Sequence, residues 1–435
     1  MRVAHFIQRY PPALGGSEAY FARLGRYLAA AGDEVCVFTT TAIDLDAFWS
    51  LRGNCAKPGR RIEDGVEVRR HSLIRWPGRQ YFLKPLSLIP AHLWQCLTMP
   101  CNPIAPGMWS VREDFDLVHV SAFPYGWPLA CGLRLARRLG VPFVVTPFLH
   151  LGDAVDRADK TRRAYLSPAL SFILRQAAKV FVQTKLERDA VLDQGVPNDR
   201  IVLQGMGVDP AECTGGDRGS ARTSWGIGEN EVAIGHLANQ SAEKGTIDLL
   251  KAAEILWRSG RRFAIVLAGP EMPNFRRFWR EHRPSGRVIR LGVLDDQQKR
   301  DFFAGIDLFA LPSRSDSFGL VLLEAWANGV ANVAYAAGGI AELVTNYRDG
   351  RLAPCSDITA LAQAIGRLID DKRLRRVLGR AGQERIAAEF RWSDKLELVR
   401  KTYLEIAGRE TKKAAEGANP PPPCVAATSP SWPSA

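Results

Sequence analysis

The strongest constraint on the fold is a strand, loop and helix pattern around residues 306–328. The apolar run 306–311 predicts a buried strand that ends at Pro312, and the small polar residues after it predict a loop. The apolar-periodic stretch 318–328 then predicts a helix. A strand followed at once by a helix is typical of a parallel α/β sheet.

This predicted helix start has the chemistry of an anion site. The amides near Ser317, Phe318 and Gly319 would lack intrahelical partners at the positive end of the helix dipole, which favours a phosphate. Asp316 precedes the turn and Glu324 lies two turns further on, so the two acids can reach separate parts of one elongated ligand. The pattern indicates a nucleotide-sugar site, or alternatively a helix N-cap at Asp316 and a solvated acid at Glu324.

The same pattern opens the chain. Residues 2–8 and 34–40 predict strands, and a helix over 18–31 lies between them, which makes a βαβ unit. Gly15 and Gly16 precede this helix, with Ser17 as the expected N-cap. These glycines would let the backbone approach a ligand closely, or would simply form a tight turn.

The length of 435 residues favours two domains. The pattern repeats after a Gly-, Ser- and Asp-rich segment, which predicts a linker. The predicted parts are a first domain over 1–209, the linker over 210–230, a second domain over 231–390, an amphipathic helix over 391–408 and a disordered tail over 409–435.

Composition narrows the environment and the partners. The net charge of +12 favours an anionic partner, such as nucleic acid, an anionic membrane surface or a phosphate-bearing substrate. Nucleic acid is the weakest of these, because the basic residues are scattered and no helix-turn-helix, zinc finger or aromatic RNA motif is present. Eight cysteines without a CxxC pair argue against a zinc site and a secreted disulfide framework. With no signal peptide or membrane span recognised, we expect a cytoplasmic protein.

Residues 76–109 are rich in Leu, Ile, Trp, Met and Pro, with Arg75, Arg79 and Lys84 nearby. Tryptophan and basic residues favour the headgroup region of a bilayer, so one interpretation is a surface for a membrane or a lipid acceptor at the inner face of the membrane. The other is an ordinary buried helix with a loop.

The motifs together resemble those of the retaining glycosyltransferases of family 4. The pair Asp316 and Glu324 is similar to the family's E-x7-E motif, and Lys244-Gly245 is similar to its K-G after a strand. Residues 338–344 match its G-G-x-x-E-x-V stretch, and residues 346–352 are similar to its short D/N-G-x-L element. The resemblance extends over about residues 1–408. It implies the GT-B fold, in which two Rossmann-like, doubly wound α/β domains face each other across a cleft.

The resemblance also implies roles for individual residues. The expected catalytic residues are Lys244 on the donor phosphates, Asp316 on the donor sugar, and His150 near the reacting carbon. The expected donor-binding residues are Gly15, Gly16, Ser317, Phe318, Gly319, Glu324 and Arg290. No metal site and no cofactor is implied, because the nucleotide sugar is a substrate.

The sequence departs from the family pattern in two places. His236 stands where the family commonly has an arginine, and a neutral imidazole cannot supply the bidentate fork of a guanidinium. Lys244 would then carry the phosphate charge alone or with another basic residue, such as Arg314. Asp316 is also shorter than the usual glutamate.

The implied function is transfer of a sugar from a nucleoside-diphosphate donor to a carbohydrate or lipid-linked acceptor hydroxyl, with retention, in polysaccharide or glycolipid assembly. Two alternatives stay open. One is a catalytically silent subunit of the same fold that binds a sugar nucleotide or a partner, motivated by His236 and Asp316. The other is a nucleotide-sugar epimerase or a phosphorylase of the same architecture.

Overall fold

The computed structural model describes residues 1–76, 78–151 and 160–417, with side chains through 408. The strands are β1 (Arg2–Phe6), β2 (Glu34–Thr40), β3 (Gly59–Glu63), β4 (Val66–His71), β5 (Leu117–Val120), β6 (Phe143–Val145), β7 (Lys179–Val182), β8 (Ile201–Leu203), β9 (Val232–Leu237), β10 (Phe263–Ala268), β11 (Arg287–Gly292), β12 (Leu308–Leu311), β13 (Ala331–Tyr335) and β14 (Gly350–Ala353).

The α-helices are α1 (Gly16–Ala30), α2 (Arg79–Leu86), α3 (His92–Thr98), α4 (Pro106–Trp109), α5 (Gly126–Leu139), α6 (Lys160–Tyr165), α7 (Pro168–Gln176), α8 (Lys185–Asp193), α9 (Pro210–Cys213), α10 (Arg218–Trp225), α11 (Thr246–Arg258), α12 (Pro273–Glu281), α13 (Asp296–Gly305), α14 (Leu320–Ala327), α15 (Ile340–Leu343), α16 (Ile358–Asp370), α17 (Lys372–Glu389) and α18 (Trp392–Gly417). Short 3-10 helices occur at Asp46–Phe48 and Asn198–Arg200.

The strands form two sheets. The first has the order β3-β4-β2-β1-β5-β6-β7-β8, and every neighbouring pair is parallel except β3 with β4. The second has the order β11-β10-β9-β12-β13-β14 and is parallel throughout. The predicted pair of doubly wound α/β domains is confirmed. In each sheet the strand order reverses at one point, between β1 and β5 and between β9 and β12, which is where such sheets bind ligands.

Continuous apolar strands make the core of the second sheet. Strands β10, β12 and β13 are buried along their whole length, because helices cover both faces of the sheet. This explains why the run 306–311 could be recognised as a strand from its apolar residues alone. The observed strand, Leu308–Leu311, begins two residues later than predicted.

The segment 210–230, predicted as a linker between the domains, contains two short helices. Asp209 and Asp217 cap two short helices, α9 and α10, by accepting hydrogen bonds from the amides of Ala211 and Ser220. Helix α10 packs against α13, and the rings of Trp225 and Phe302 lie 6.4 Å apart. The Gly, Ser and Asp residues therefore cap and end helices here rather than loosen the chain.

The last helix joins the end of the chain to the first domain. Helix α18 packs against α1, with Arg400 paired to Asp33 at 2.8 Å and the Tyr27 hydroxyl hydrogen-bonded to Glu397 at 2.5 Å. The Tyr403 hydroxyl hydrogen-bonds His119 of β5 in the interior. The helix extends to Gly417, nine residues past the predicted boundary at 408, and the remainder of the predicted disordered tail lies outside the described residues.

Arg222 of α10 provides a test of whether this helix belongs to the second domain. Its buried guanidinium donates to the carbonyl oxygens of Gly305 and Gly228 at 2.9 and 2.5 Å and reaches Asp307 at 3.1 Å. Arg222→Ala should lower the free energy of unfolding by about 3 kcal/mol, because it leaves buried acceptors unpaired. Urea denaturation followed by circular dichroism measures this.

Arg218→Ala is the matched control. Arg218 binds the same carboxylate at 2.7 Å, but its side chain is 43% exposed, so its loss should cost about 1 kcal/mol or less. Equal effects of the two substitutions would contradict a packed role for α10.

Candidate functional site

The loops at the carboxyl ends of the central strands of both sheets line one cleft between the domains. Its volume is about 730 Å³, which suits a small-molecule ligand. Nine of the ten residues predicted from the sequence line it, namely Gly15, Gly16, His150, Lys244, Asp316, Ser317, Phe318, Gly319 and Glu324. Arg290 does not.

An ion pair links the two central loops of the second domain. Lys244 Nζ lies 2.7 Å from Asp316 Oδ2, and both side chains are only partly exposed to the cleft. Gly245 makes the close approach possible: its φ is +75°, and a Cβ there would lie 1.8 Å from the carbonyl oxygen of Pro312. The K-G pair therefore brings the β9 loop against the end of β12.

Asp316 also occupies the helix start that was expected to bind phosphate. Its Oδ1 accepts from the amides of Phe318 at 3.2 Å and Gly319 at 2.9 Å. The helix α14 then begins at Leu320, after Gly319 at a φ of +86°, two residues later than predicted. Gly319 holds the N-cap position, so the alternative interpretation of Asp316 as the N-cap is wrong. The Asp316 carboxylate instead accepts from two amides of the turn that leads into the helix, and it also lines the cleft.

The turn at Gly338 and Gly339 holds the backbone of Asp316. The Gly339 amide donates to the carbonyl oxygen of Asp316 at 2.8 Å. Gly338 has a φ of +54°, and a Cβ there would lie 2.3 Å from the same oxygen. This packing gives the G-G motif a structural role in the position of the acid.

The charges in the cleft influence one another. Burial disfavours the ionised form of Asp316, but the Lys244 ammonium outweighs it and holds the pKa of Asp316 below its usual value. Burial lowers the pKa of His150. The charge of Asp316 acts in the opposite direction, and the charge of Lys244 lowers this pKa further. At neutral pH these shifts favour an ionised Asp316 beside a neutral imidazole of His150.

His150 follows β6 and reaches the cleft from the first domain. Its ring lies 5.3 Å from that of Tyr165, edge to face, and Tyr165 also lines the cleft. The preceding amide, Leu149 N, donates to Glu187 Oε1 at 2.7 Å, while Glu187 Oε2 accepts from Gln183 N at 2.6 Å. Glu187 therefore ties the His150 loop to the end of β7.

Sequence reasoning missed Glu187. It is buried, and burial raises its pKa to about 8. In the sequence, Glu187 is one acid within the polar, charged helix 185–193. Only its position three residues after the N-cap Thr184 distinguishes it from the other acids of that helix. A buried acid at that place fixes the two neighbouring strand ends through their amides.

The start of α1, in the first domain, presents amides that have no backbone partner among the described residues. The helix begins at Gly16, and its first backbone bond is from Ala19 N to Gly15 O, so the amides of Gly16 and Ser17 precede the hydrogen-bonded turns. The prediction that Ser17 is the N-cap is wrong, because Gly15 holds that position. The Ser17 hydroxyl instead donates to Glu18 at 2.8 Å.

Arg9 is a cationic residue that sequence reasoning missed. It lines the cleft, pairs with the buried Glu18 at 2.7 Å, and donates to the carbonyl oxygens of Ile43 and Leu14. Its position just after β1, at the point where the strand order reverses, is the signal that could have identified it.

Glu324 lies further along the same cleft. Its Oε1 accepts from Lys299 Nζ at 2.5 Å. Its Oε2 is buried and, among the described residues, has no hydrogen-bond partner. Burial raises the pKa of Glu324, and Lys299 opposes the shift. Glu324 is thus not the solvated helix residue of the alternative interpretation.

Three basic residues considered from sequence lie elsewhere. Arg290 on the edge strand β11 pairs with Glu271 at 2.8 Å and lies over the ring of Trp279. Arg314 pairs with the buried Asp248 at 2.8 Å, so it does not assist Lys244. His236 is fully buried and faces the interior of the sheet rather than the cleft.

The environment of His236 explains its pKa. Its Nδ1 lies 2.8 Å from the carbonyl oxygen of Ala310 and its Nε2 lies 2.9 Å from Thr246 Oγ1, which assigns the neutral tautomer protonated at Nδ1. Burial lowers the pKa of His236 to about 4. The residue joins β9, β12 and α11 through uncharged hydrogen bonds.

The domains are also joined directly beside the cleft. Glu342 of α15, the acid of the G-G-x-x-E motif, accepts from the amides of Lys185 and Leu186 at 2.7 and 2.5 Å. These amides open α8 of the first domain, where the helix dipole favours a carboxylate. The contact holds the two sheets in the relative position that closes the cleft.

The low pKa of His236 predicts a pH effect on stability. The imidazole gains a proton near pH 6.5 when unfolded but only near 4 when folded, so its contribution is present above pH 6.5 and is lost as pH falls towards 4. His236→Asn should therefore remove about 2 kcal/mol of the fall in unfolding free energy between pH 7 and 5. Urea denaturation at both pH values tests this.

His282→Asn is the control, because His282 is exposed and should leave the pH dependence as in the wild type. Parallel pH curves for the wild type and His236→Asn would contradict the assignment of a buried neutral imidazole.

Two family models match the chain in succession. The glycosyl transferase 4-like domain matches residues 15–207, and the glycosyl transferases group 1 model matches residues 217–385. Together they span most of the chain. The boundary between the two matches lies at the start of α10.

Individual proteins agree with this assignment. The 2-deoxystreptamine N-acetyl-D-glucosaminyltransferase of Streptomyces fradiae is 28% identical over 376 residues, covering 82% of this chain and 83% of the relative. Sucrose-phosphate synthase from Thermosynechococcus elongatus superposes with a TM-score of 0.71 at 22% identity, covering 95% and 99% of the two chains. Anabaena HepE in complex with UDP superposes at 0.65 and 17% identity, covering 96% and 100%. The chain belongs to the glycosyl transferases group 1 and is a glycosyltransferase with the GT-B fold.

Proposed function

We propose that the protein transfers a sugar from a nucleoside-diphosphate sugar to an acceptor hydroxyl with retention of the anomeric configuration. The observation that carries the proposal is the Lys244–Asp316 pair. It lies beside His150 in a cleft that also receives the free amides at the start of α1. An anion-binding group from each domain therefore faces the same space.

The leaving diphosphate requires stabilisation of negative charge. When the bond to the sugar breaks, charge develops on the β-phosphate, and preorganised cations and amides lower that barrier most. Lys244 supplies the cation from the second domain, and the amides of Gly16 and Ser17 supply donors from the first. Arg9 lies on the same wall of the cleft, where Glu18 compensates its charge at 2.7 Å. Closure of the domains excludes water and limits hydrolysis of the donor.

Asp316 and His150 orient the sugar in this proposal. The Asp316 carboxylate accepts hydrogen bonds from sugar hydroxyls as the diphosphate draws Lys244 and the amides of Phe318 and Gly319 away from it. The neutral imidazole of His150 hydrogen-bonds a hydroxyl near the reacting carbon, held in place by Glu187 through Leu149. The nucleophilic oxygen comes from the acceptor.

Glu324 binds the ribose of the donor. A buried carboxylate oxygen without a partner is costly, and an O–H donor from the ligand removes that cost. Glu324 lies about one turn along α14 from its start at Leu320, beyond the proposed diphosphate site, which matches the extended shape of a nucleotide sugar. Lys299 keeps the other oxygen in place.

UDP-linked sugars are the first donors to test, because the structurally similar HepE of Anabaena forms a complex with UDP. We assign the reaction to polysaccharide or glycolipid assembly, with a carbohydrate or lipid-linked acceptor. The cleft cations take the part that a metal ion plays in other glycosyl transfers, so the reaction needs no metal or other cofactor.

Nucleotide release from UDP-, GDP-, ADP- and dTDP-sugars, measured with a chelator present, tests the reaction. Release should occur with one nucleotide and be unchanged by the chelator. Lys244→Ala should lower kcat by about a hundredfold or more, because the developing charge loses its nearest cation. Lys251→Ala, an exposed lysine on α11, is the matched control and should retain full activity.

Two outcomes would contradict the proposal. One is full activity in Lys244→Ala. The other is no nucleotide release with any donor, together with no donor that raises the melting temperature. Proton NMR of the product decides retention, since an inverted anomeric centre would refute that part alone.

Glu324→Ala should separate binding from chemistry. Loss of a hydrogen bond to the ribose, which is remote from the reacting carbon, should raise the KM for the donor about tenfold and leave kcat within a few-fold. Steady-state kinetics with the accepted donor measure both constants. Glu271→Ala, whose acid pairs with Arg290 outside the cleft, should change neither.

A fall in kcat alone in Glu324→Ala would contradict a ribose contact. It would place the acid on the reacting part of the donor instead.

A further inference from the structure

A cluster of large apolar side chains faces solvent on the first domain. Eight of them lie within 21 residues of sequence, on and around α2 and α3. We name this set the 74–94 patch, and it consists of Ile74, Trp76, Tyr81, Phe82, Leu86, Leu88, Ile89 and Trp94. Tyr81 is 74% exposed, Phe82 58% and Leu88 77%. The sequence alternative of an ordinary buried helix is wrong for α2, because only Arg79 of its residues is buried.

The patch is held outward by a fixed framework. Arg79 is buried beneath it and donates to the carbonyl oxygens of Ile74, at 2.6 Å, and Asn102. The Trp94 indole donates to Leu86 O at 3.0 Å. In α3, Cys96 is buried against α7, where it approaches the carbonyl oxygen of Ala169. The polar groups of the segment therefore bond inward, while its apolar groups stay outside.

The segment that carries the patch contains basic residues and no acidic ones. Residues 68–112 contain no Asp or Glu. Lys84 is exposed among the apolar side chains, and Arg75 lies beside Trp76. Aromatic and aliphatic groups with interspersed cations match the interface of an anionic bilayer, which takes apolar groups below its headgroups and cations among them.

The patch is continuous with the mouth of the cleft. Arg75 donates to the carbonyl oxygen of Gly53 at 3.1 Å, which ties the patch to the loop over residues 43–55. That loop exposes Trp49 and Leu51, and its Leu45 lines the cleft. A surface bound to the patch would therefore lie close to the first-domain side of the cleft.

We propose that the 74–94 patch docks the protein on the surface of an anionic lipid bilayer. Within the described residues no helix has the length and hydropathy to cross a membrane, so the contact is interfacial. A bilayer fits better than a second copy of the chain, because two such patches would bring like charges together. This proposal does not depend on the proposed function, since vesicle binding needs neither donor nor turnover.

Co-sedimentation of the full chain with vesicles tests the proposal. The protein should bind vesicles of phosphatidylcholine with phosphatidylglycerol and bind phosphatidylcholine alone more weakly, and high salt should reduce the binding. Replacing Tyr81, Phe82 and Leu88 together by Ser should lower the partition coefficient about tenfold or more. Lys84→Glu should lower it about fivefold on the anionic vesicles and leave binding to phosphatidylcholine almost unchanged.

The matched control replaces three similarly exposed apolar residues elsewhere, Ile62, Val293 and Val377, by Ser and should bind vesicles as the wild type does. The melting temperature of the triple patch variant, followed by circular dichroism without vesicles, should match that of the wild type and so verify that it folds. Failure of the wild type to bind anionic vesicles would overturn the proposal, and so would equal binding by the patch and control variants. A dimer in sedimentation velocity that the patch variant dissociates, without vesicle binding, would assign the patch to a second copy instead.

Discussion

The parallel pairing of the strands determines where chemistry can occur in this molecule. Because neighbouring strands run in the same direction, their carboxyl ends lie at one edge of each sheet, and the loops that leave them meet there. The chain brings the two edges together and thereby places groups more than 200 residues apart around one cleft. Glu342, bonded to the first turn of α8, and α18, packed on α1, keep the edges opposed.

Much of this could be predicted from sequence, for a physical reason. Strands buried on both faces are apolar throughout, and a glycine is required wherever a loop must approach another backbone closely, as Gly245 approaches Pro312. Such local requirements remain visible in the residues themselves. They allowed the two sheets to be predicted, and the family motifs added Lys244 and Asp316 of the cleft.

Pairings over long sequence distances could not be predicted in the same way. Arg314 has a side chain that could bind phosphate, but it pairs with Asp248, which lies 66 residues away in the sequence, and therefore does not face the cleft. Glu187 is an ordinary helical acid until the fold brings Leu149 to it. The two short helices within 210–230 were not predicted, because the Asp, Ser and Gly residues that cap and end helices are the same residue types that are common in loops. His236 is informative here, because its burial and its bonds to Ala310 and Thr246 give it a structural role that its sequence position did not show.

The hydrogen bonds from the Phe318 and Gly319 amides to the Asp316 carboxylate have a consequence for ligand affinity. The Asp316 carboxylate, an anion that belongs to the chain itself, already lies before the helix start and beside Lys244. In the proposed reaction, a diphosphate that binds there exchanges with this tethered anion and does not fill an uncompensated positive site. The binding free energy of the diphosphate is then the difference between its own interaction with the site and that of the displaced carboxylate. A small free anion is therefore expected to bind weakly. The displaced carboxylate loses its bonds to Lys244 and the two amides. Only a ligand that also offers hydroxyl groups to this carboxylate replaces those bonds, so the site favours an extended ligand.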